Sequence, residues 1–366
     1  MRKIAGLLTA ALLCVLLPVQ AQAVSARSAV VLDGATGQVL FEQNADERLP
    51  MASTTKIMTA IVAIENFDID REYVVKKEYT RVEGSSMYLK EGERITLRDT
   101  LYGLMLMSGN DAALAIAGEC GGLQHFVGLM NATAERLGLT NTHFDNPNGL
   151  DGETHYTTAR ELAELAAYGM RNEQFREIVS TKSYQAGGRY MKNHNKLLTL
   201  YADCVGVKTG FTKKSGRCLV SAAERNGRRL VAVTLNAPDD WNDHMSMLQS
   251  AFQKYQPYTL HEAGAILRTQ PVEGGTAMSV DLAAKNTTEI YLTQREYEML
   301  KTVFLGSRFT YAPVEAGDLY GKVEYCVGDT VLAEDDLIYQ TGTALLPEEK
   351  SVPERFWDRL RSLWAA

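Results

Sequence analysis

An apolar segment that begins near Ser53 places the strongest constraint on the fold. Apolar side chains recur along it at helical spacing and cover nearly the whole circumference of a helix: Ile57, Met58, Ala60, Ile61, Val62 and Ile64. A helix of this kind is stable only where most of its sides are buried. The sequence therefore predicts a helix inside a large core, starting at or just before Ser53.

The segments around this helix predict a domain that mixes helices and strands. Two short β-type runs, 29–32 and 37–41, flank a loop with Gly34 and predict a hairpin. The later patterns are helical at 95–118 (with a break at 108–110), 126–137 and 158–170, and strand-like at 205–207, 218–220 and 230–235. Strands, then helices, then strands indicate an α+β, three-layer domain.

The pattern changes after residue 270. Short alternating runs are separated there by Gly, Asn and Asp, at 279–282, 287–292, 319–326 and 330–332. We therefore expect a first domain at 24–267 and a small β-rich, sandwich-like domain at 268–347.

The first 23 residues have the three parts of a secretory signal peptide. Arg2 and Lys3 form a basic start, residues 4–17 are apolar, and Ala21-Gln22-Ala23 is a small-x-small cleavage signal. The apolar stretch is too short for a stable membrane span. We expect residues 1–23 to be removed and the chain to be secreted across the cytoplasmic membrane.

The C-terminal segment, 348–366, predicts a short amphipathic helix. Its large apolar side chains fall within an arc of roughly 120°, and they are Phe356, Trp357, Leu360, Leu363 and Trp364. Tryptophan on one face and arginine on the other suit a membrane interface. A helix docked on the protein's own surface stays open as the alternative.

Ser53 and Lys56 are the first candidate catalytic pair. At positions i and i+3 they lie on one face of the helix. A serine hydroxyl is a weak nucleophile until a base takes its proton, and a lysine amine is such a base when burial or a second cation lowers its pKa. Ser-x-x-Lys alone is uninformative, because serine often caps helices and lysine is usually solvated. Here, however, Lys56 stands on a helix too apolar to be mostly exposed.

Two further triplets carry polar groups. Ser108-Gly109-Asn110 offers a hydroxyl for proton relay and a side-chain amide for a substrate peptide group. Lys208-Thr209-Gly210 closes a strand with a cation, a hydroxyl and a glycine that lets a ligand approach closely. Lys208 would bind a substrate carboxylate and supply the positive charge that keeps Lys56 neutral.

Ser-x-x-Lys, Ser-x-Asn and Lys-Thr-Gly in this order form the signature of penicillin-binding proteins and serine β-lactamases. Longer segments resemble the D-alanyl-D-alanine carboxypeptidase family, the low-molecular-mass penicillin-binding proteins: 52–59, 108–112, 144–151, 158–163 and 208–212. The block 146–151 separates this family from β-lactamases better than the triplets do. The resemblance covers about 28–267 and implies a β-lactamase/transpeptidase-like catalytic domain.

The resemblance implies a role for each reacting group. Ser53 attacks the carbonyl carbon of the penultimate D-alanine, uncharged Lys56 accepts its proton, and Ser108 relays a proton to the leaving nitrogen. Backbone N–H groups of Ser53 and Phe211 form the oxyanion hole. Some relatives carry a polar residue where this chain has Phe211, but only its backbone is required.

The remaining expected contacts hold the substrate. Lys208 and the hydroxyls of Thr209 and Thr212 bind the terminal carboxylate beside Gly210, and Asn110 orients the peptide. The implied substrates are D-Ala-D-Ala ends of peptidoglycan stems, and the implied inhibitors are β-lactams that acylate the serine. The implied location is extracytoplasmic, at the outer face of the cell membrane.

Other functions are less well matched. A formal charge of −7 argues against a nucleic-acid-binding protein. The six histidines show no paired metal spacing, so we expect no metal and no cofactor, which argues against a metallo-carboxypeptidase. A serine β-lactamase would need a deacylating group such as Glu153 or Glu161, in a loop pattern that the sequence lacks. A non-catalytic wall-binding protein would not need the intact triplets.

Four cysteines remain after the expected cleavage: Cys120, Cys204, Cys218 and Cys326. Their wide spacing does not indicate a disulfide framework. We expect buried free thiols.

Overall fold

The computed structural model describes residues 24–347 and 352–364, without the side chains of residues 352, 359, 360, 363 and 364. The expected signal peptide, 1–23, lies outside the described residues. The chain divides into two compact units, the first ending at Gln253 and the second beginning at Lys254.

The first unit contains strands and helices in alternation. In chain order they are β1 (Ser28–Asp33), β2 (Val39–Gln43), α1 (Lys56–Asn66), β3 (Glu72–Val74), β4 (Arg94–Thr96), α2 (Leu97–Leu106), α3 (Asn110–Glu119), α4 (Leu123–Arg136), α5 (Ala159–Gly169), α6 (Glu173–Ser180), β5 (Ser183–Ala186), β6 (Arg189–Lys192), α7 (Leu197–Leu200), β7 (Cys204–Thr212), β8 (Gly216–Arg225), β9 (Arg228–Leu235) and α8 (Asp240–Lys254).

The central layer is an antiparallel five-stranded sheet in the order β2-β1-β9-β8-β7. Side chains alternate across it, as the twofold periodicity of a strand requires. On β8, Val220 and Ala222 join the main core with α1 to α6, whereas Leu219 packs on the opposite side with residues of α7 and α8. The expected α+β, three-layer architecture is confirmed.

α1 lies in the main core, as its all-round apolar sequence predicts. Its residues from Lys56 to Ala63 are all buried. The first two turns of α1 are therefore enclosed on every side, and a lysine in the first turn shares that enclosure.

Some expected bounds need correction. The helix expected from residue 95 begins at Leu97, because Arg94–Thr96 pair with β3 as strand β4. The Thr96 hydroxyl then caps α2 by accepting the Asp99 N–H at 3.0 Å. The helix expected from residue 126 starts earlier, at Leu123.

The second unit is mainly β-structure. In chain order its elements are β10 (Gln256–His261), β11 (Ile266–Glu273), β12 (Ser279–Ala284), β13 (Thr288–Leu292), α9 (Gln294–Met299), β14 (Lys301–Leu305), β15 (Thr310–Tyr311), β16 (Leu319–Val327), β17 (Thr330–Tyr339) and α10 (Val352–Trp364). Six strands form one sheet in the order β14-β16-β17-β12-β11-β15, and β10 pairs separately with β13. The second unit is thus the small β-rich domain that the sequence predicts.

The boundary between the units lies earlier than the expected 267/268. β10 pairs with β13 and β11 pairs with β12, so both strands belong to the β-rich unit. The boundary therefore lies between Gln253 and Lys254. Composition alone does not reveal that these strands pair with later residues.

Candidate active site

Ser53 lies in a tight turn at the entrance to α1. Residues Ala52–Thr55 form a 3-10 helix, and Ala52 adopts a φ of 48°, in the left-handed region. The Thr54 hydroxyl donates to the Met51 carbonyl at 2.6 Å, and the Thr55 hydroxyl donates to the Ala52 carbonyl at 2.8 Å. These bonds hold a strained turn, of the kind that clusters at functional sites, in a single conformation.

The Lys56 side chain is fully buried and points at Ser53. Its Nζ lies 3.1 Å from Ser53 Oγ, 2.7 Å from Asn110 Oδ1 and 2.5 Å from the carbonyl oxygen of Asn148. Burial lowers the pKa of Lys56 well below its usual value, and the charge of Lys208 lowers it further. A neutral amine has two N–H donors, which the two carbonyl-type oxygens accept. Its lone pair is then left facing the serine hydroxyl.

Lys208 lies on β7 and is also buried. Burial lowers its pKa to about 7, and its Nζ donates to the carbonyl oxygen of Thr209 at 2.9 Å. The strand therefore places a second amine close enough to influence Lys56 electrostatically, as the sequence predicts.

Asn110 connects Lys56 to a neighbouring loop. Its Oδ1 accepts from Lys56, and its Nδ2 donates to the carbonyl oxygen of Glu83 at 2.6 Å. Asn110 is buried, so its evident contact is with Lys56. The expected contact with the substrate peptide stays a prediction.

Asp111 fixes the same loop from below. Its carboxylate accepts the N–H groups of Met87 and Leu89 at 2.9 and 3.0 Å and the Ser86 hydroxyl at 2.5 Å. Ser85 of this loop lines the groove described next. The buried carboxylate thus shapes one wall of the groove.

An open groove of about 740 Å³ runs past the nucleophile. Five of the predicted site residues line it, and they are Ser53, Ser108, Thr209, Gly210 and Phe211. Ser108 adopts a φ of 58°, in the left-handed region. Lys56 and Lys208 lie beneath the surface, so the structure brings the three triplets together around one groove.

Thr212 faces a different set of groups. Its hydroxyl donates to Asp151 Oδ1 at 3.0 Å and lies 2.9 Å from Ser215 Oγ. These contacts close the turn between β7 and β8. Binding of a substrate carboxylate by Thr212 stays a prediction.

Gly149 and Gly210 allow the close approach of three chain segments at the nucleophile. Gly149 has a φ of 87°, and a Cβ built there would lie 2.0 Å from the Ala52 carbonyl oxygen. A Cβ at Gly210 would lie 3.1 Å from the backbone nitrogen of Ser53. The end of β7 and the turn that carries Ser53 therefore meet with their backbones in contact.

His155 is a site residue that sequence reasoning missed. Its Nδ1 accepts the Asp145 N–H at 3.0 Å, so the ring proton is on Nε2, which donates to Thr55 Oγ1 at 2.7 Å. Burial lowers the pKa of His155 to about 4, and the ring is neutral near pH 7. His155 thus holds the turn that carries Ser53 through its hydrogen bond to Thr55 Oγ1. Its closeness in sequence to the block 146–151 was the available signal.

Other missed groups also line the groove. Arg217 lies on β8 opposite Phe211 and pairs with Asp240 at 2.7 Å, with its guanidinium over the ring of Trp241. The lining also includes Tyr190, Lys192, His194 and Lys196. No sequence pattern separates these from ordinary surface residues.

Comparison with known families gives two matches along the chain. Residues 17–239 match the family described as D-alanyl-D-alanine carboxypeptidase. Residues 255–343 match the family described as penicillin-binding protein 5, C-terminal domain. The two matches together span most of the sequence.

Individual relatives agree with these matches. The chain is 32% identical over 326 residues to D-alanyl-D-alanine carboxypeptidase DacF of Bacillus subtilis, covering 84% of this chain and 83% of that protein. It is 32% identical over 361 residues to D-alanyl-D-alanine carboxypeptidase DacC of Escherichia coli, covering 93% and 88%.

Two solved structures are also similar to this chain, one over most of it and one over about two thirds of it. Penicillin-binding protein 5 from Haemophilus influenzae matches with a TM-score of 0.76 at 27% identity, over 89% of this chain and 99% of that chain. The Streptomyces K15 DD-transpeptidase matches with a TM-score of 0.62 at 34% identity, over 64% of this chain and its whole length.

Proposed function

This chain belongs to the D-alanyl-D-alanine carboxypeptidase family, and we propose that Ser53 and Lys56 carry out its reaction as nucleophile and base. The enzyme is a serine peptidase that removes the terminal D-alanine from D-Ala-D-Ala peptide ends and binds penicillin. The matched family and relatives do not favour the alternative of a serine β-lactamase.

The observation that carries the proposal is the environment of Lys56. As the Ser53 oxygen bonds to the carbonyl carbon of the penultimate D-alanine, its proton passes to the Lys56 lone pair, 3.1 Å away. The negative charge that develops on the carbonyl oxygen is accepted by the backbone N–H groups of Ser53 and Phe211. Burial and the Lys208 charge keep Lys56 unprotonated beforehand.

The second half of the reaction releases both products. When the C–N bond breaks, the D-alanine nitrogen takes a proton that Ser108 relays from Lys56. Water then attacks the acyl carbon and gives a proton to Lys56. Lys56 returns that proton to the Ser53 oxygen as the ester C–O bond breaks, which frees Ser53 and the shortened peptide. Lys208 and Thr209 hold the terminal carboxylate, which restricts the site to chain ends.

Release of free D-alanine from a diacetyl tripeptide ending in D-Ala-D-Ala tests these roles. We expect Ser53→Ala and Lys56→Ala each to lower kcat/KM by at least about a thousandfold, as removal of a nucleophile or its base does in other serine hydrolases. Ser183→Ala, at an exposed position on β5, is the matched control. Full activity in Ser53→Ala would assign the nucleophile elsewhere.

We also propose that the enzyme acts outside the cytoplasmic membrane and rests on its surface. The N-terminal pattern supports export, and Phe356 and Trp357 of α10 are each 60% exposed, as a helix that enters a lipid interface requires. Among the described residues, no helix is long and apolar enough to cross a bilayer. We expect the protein to bind anionic vesicles and the variant Phe356→Ser/Trp357→Ser to lose this binding. Unchanged binding in the variant would show that α10 does not attach the protein to the membrane.

A further inference from the structure

A second cavity, of about 320 Å³, adjoins the catalytic groove. The two share Lys192, Asn193 and Lys196 in their walls. The second cavity is completed by Lys182, Asn195 and residues of α7. The two cavities are therefore adjacent, and a molecule in the groove beside Ser53 lies near the residues that line the second cavity.

The two cavities are positively charged in an acidic protein. Lys182, Lys192 and Lys196 are all exposed, and no acidic residue among the described ones lines the second cavity. The carboxylate in the groove wall, Asp240, is already paired with Arg217. In a chain with a formal charge of −7, this concentration of unneutralised lysines favours an anionic ligand.

Asn195 adds a hydrogen-bond donor to the same wall. Its side chain is buried, with 3% of the residue exposed, and its Oδ1 accepts the Leu197 N–H at 3.1 Å. Its Nδ2 has no hydrogen-bond partner within the described part of the chain. Buried amide donors are rarely left unpaired, and an acceptor oxygen supplied by a ligand would complete this one.

The backbone holds these groups in place. Lys192 pairs with Ser183 across the β5–β6 hairpin, and the Asn193 N–H donates to the Lys182 carbonyl at 2.9 Å. The Asn195 N–H donates to Asn193 Oδ1, also at 2.9 Å. The lysines therefore emerge from a bend that is already ordered, which limits the entropy lost on binding.

We propose that Lys182, Lys192, Lys196 and Asn195, the lysine subsite, bind a second carboxylate of the peptide substrate. This carboxylate belongs to a residue before the two D-alanines and is distinct from the terminal one held by Lys208 and Thr209. The inference rests on the proposed function, because the reacting carbonyl at Ser53 fixes the end of the peptide in the groove. The enzyme thus prefers acidic stems to amidated ones.

Pairs of synthetic pentapeptides ending in D-Ala-D-Ala test the preference. In the first pair, one peptide has a free carboxylate on a γ-linked D-glutamyl residue and the other has a carboxamide there. In the second pair, the same difference is placed on the side chain of the third residue. We expect the carboxylate member of at least one pair to have a kcat/KM about fivefold higher. That ratio should fall as ionic strength rises, and the pair that shows it identifies the bound carboxylate.

In the double variant Lys182→Gln/Lys192→Gln, the ratio of the two kcat/KM values should fall to about one. The control, Lys77→Gln/Lys214→Gln, removes the same charge from exposed positions outside both cavities and should keep the wild-type ratio. Labelling by fluorescent penicillin shows that each variant retains a folded nucleophile. A wild-type ratio near one in both pairs, or a ratio that survives in Lys182→Gln/Lys192→Gln, overturns the lysine subsite. Failure to release D-alanine from any peptide would instead overturn the proposed function.

Discussion

At the scale of single residues, the proposed mechanism gives two buried lysines separate tasks, that of base to Lys56 and that of cation to Lys208. Lys56 and Lys208 are both buried, and the charge of Lys208 lowers the pKa of Lys56. Lys56 loses its proton more readily, because burial and the charge of Lys208 act on it together. Lys208 then remains to meet the substrate carboxylate.

This division predicts a bell-shaped dependence of kcat/KM on pH. Protonation of Lys56 removes the base, so the rate falls on the acid side. The pKa of Lys208 is about 7, so its positive charge is lost as the pH rises through that value, and the rate falls on the alkaline side.

Lys208→Arg separates the two limbs. An arginine stays protonated throughout the accessible range, so the alkaline limb should move to higher pH while the acid limb remains. Steady-state measurements of D-alanine release from pH 5 to 11 give the profile. An alkaline limb at the same pH in wild type and Lys208→Arg would show that another group is responsible.

The sequence predicts that Ser53, Lys56 and Lys208 come together, but it says little about their surroundings. Ser53, Lys56 and Lys208 belong to motifs with fixed spacing, and the structure gathers them as expected. The Asn148 carbonyl and the His155 ring contact Lys56 and Thr55 from about a hundred residues along the chain. Contacts between residues that are far apart in the sequence produce no periodicity or fixed spacing, so the sequence does not predict them.

At the scale of elements, the nucleophile turn is held by the loop that follows α4. Gly149 lies against the Ala52 carbonyl, and the Thr59 hydroxyl on α1 donates to the Pro147 carbonyl at 2.7 Å. The loop therefore fixes both the turn and the first part of α1, and it carries the oxygen that accepts from Lys56.

Gly149→Ala should slow acylation by penicillin about a hundredfold, since a shift of about 1 Å in reacting groups costs this much. The new Cβ would lie 2.0 Å from the Ala52 carbonyl oxygen, so the turn has to move. Stopped-flow or gel-based labelling measures the rate.

Gly92→Ala is the matched control for Gly149→Ala. Gly92 has a similar φ of 83°, but a Cβ there meets nothing within 4 Å. Its labelling rate should equal that of wild type, so that backbone strain is separated from displacement of the turn. Equal rates in both variants would contradict the role given to Gly149.

The elements themselves were predicted unevenly. The β1–β2 hairpin, α1, α5 and the three strands β7 to β9 appear where periodicity placed them. α6, α8 and the β5–β6 hairpin were not predicted: α6 and the two hairpin strands are short, and α8 is mostly polar. α6, for example, buries Phe175, Ile178 and Val179 in eight residues.

At the scale of the whole molecule, the catalytic groups all belong to the first unit. The main core that supports α1 and the sheet is built from residues 30–235. The likeness to the Streptomyces K15 DD-transpeptidase spans 64% of this chain and all of that one. The first unit therefore has a complete core of its own.

A chain that ends at Tyr255 should fold and label with penicillin at a rate within about twofold of the full chain, because a domain with its own core folds independently. Circular dichroism and the labelling rate report on folding and on the site. If the full-length protein is soluble but the truncated chain is unfolded or does not react with penicillin, the first unit needs the second unit in order to fold or to react.

The proposed mechanism depends most on which group of the protein penicillin acylates. Intact mass spectrometry after penicillin exposure, followed by peptide mapping, measures it directly. We predict one adduct per chain, on the peptide that contains Ser53, and no adduct in Ser53→Ala. An adduct mapped to Ser108 or to any other residue, or persisting in Ser53→Ala, would contradict the mechanism.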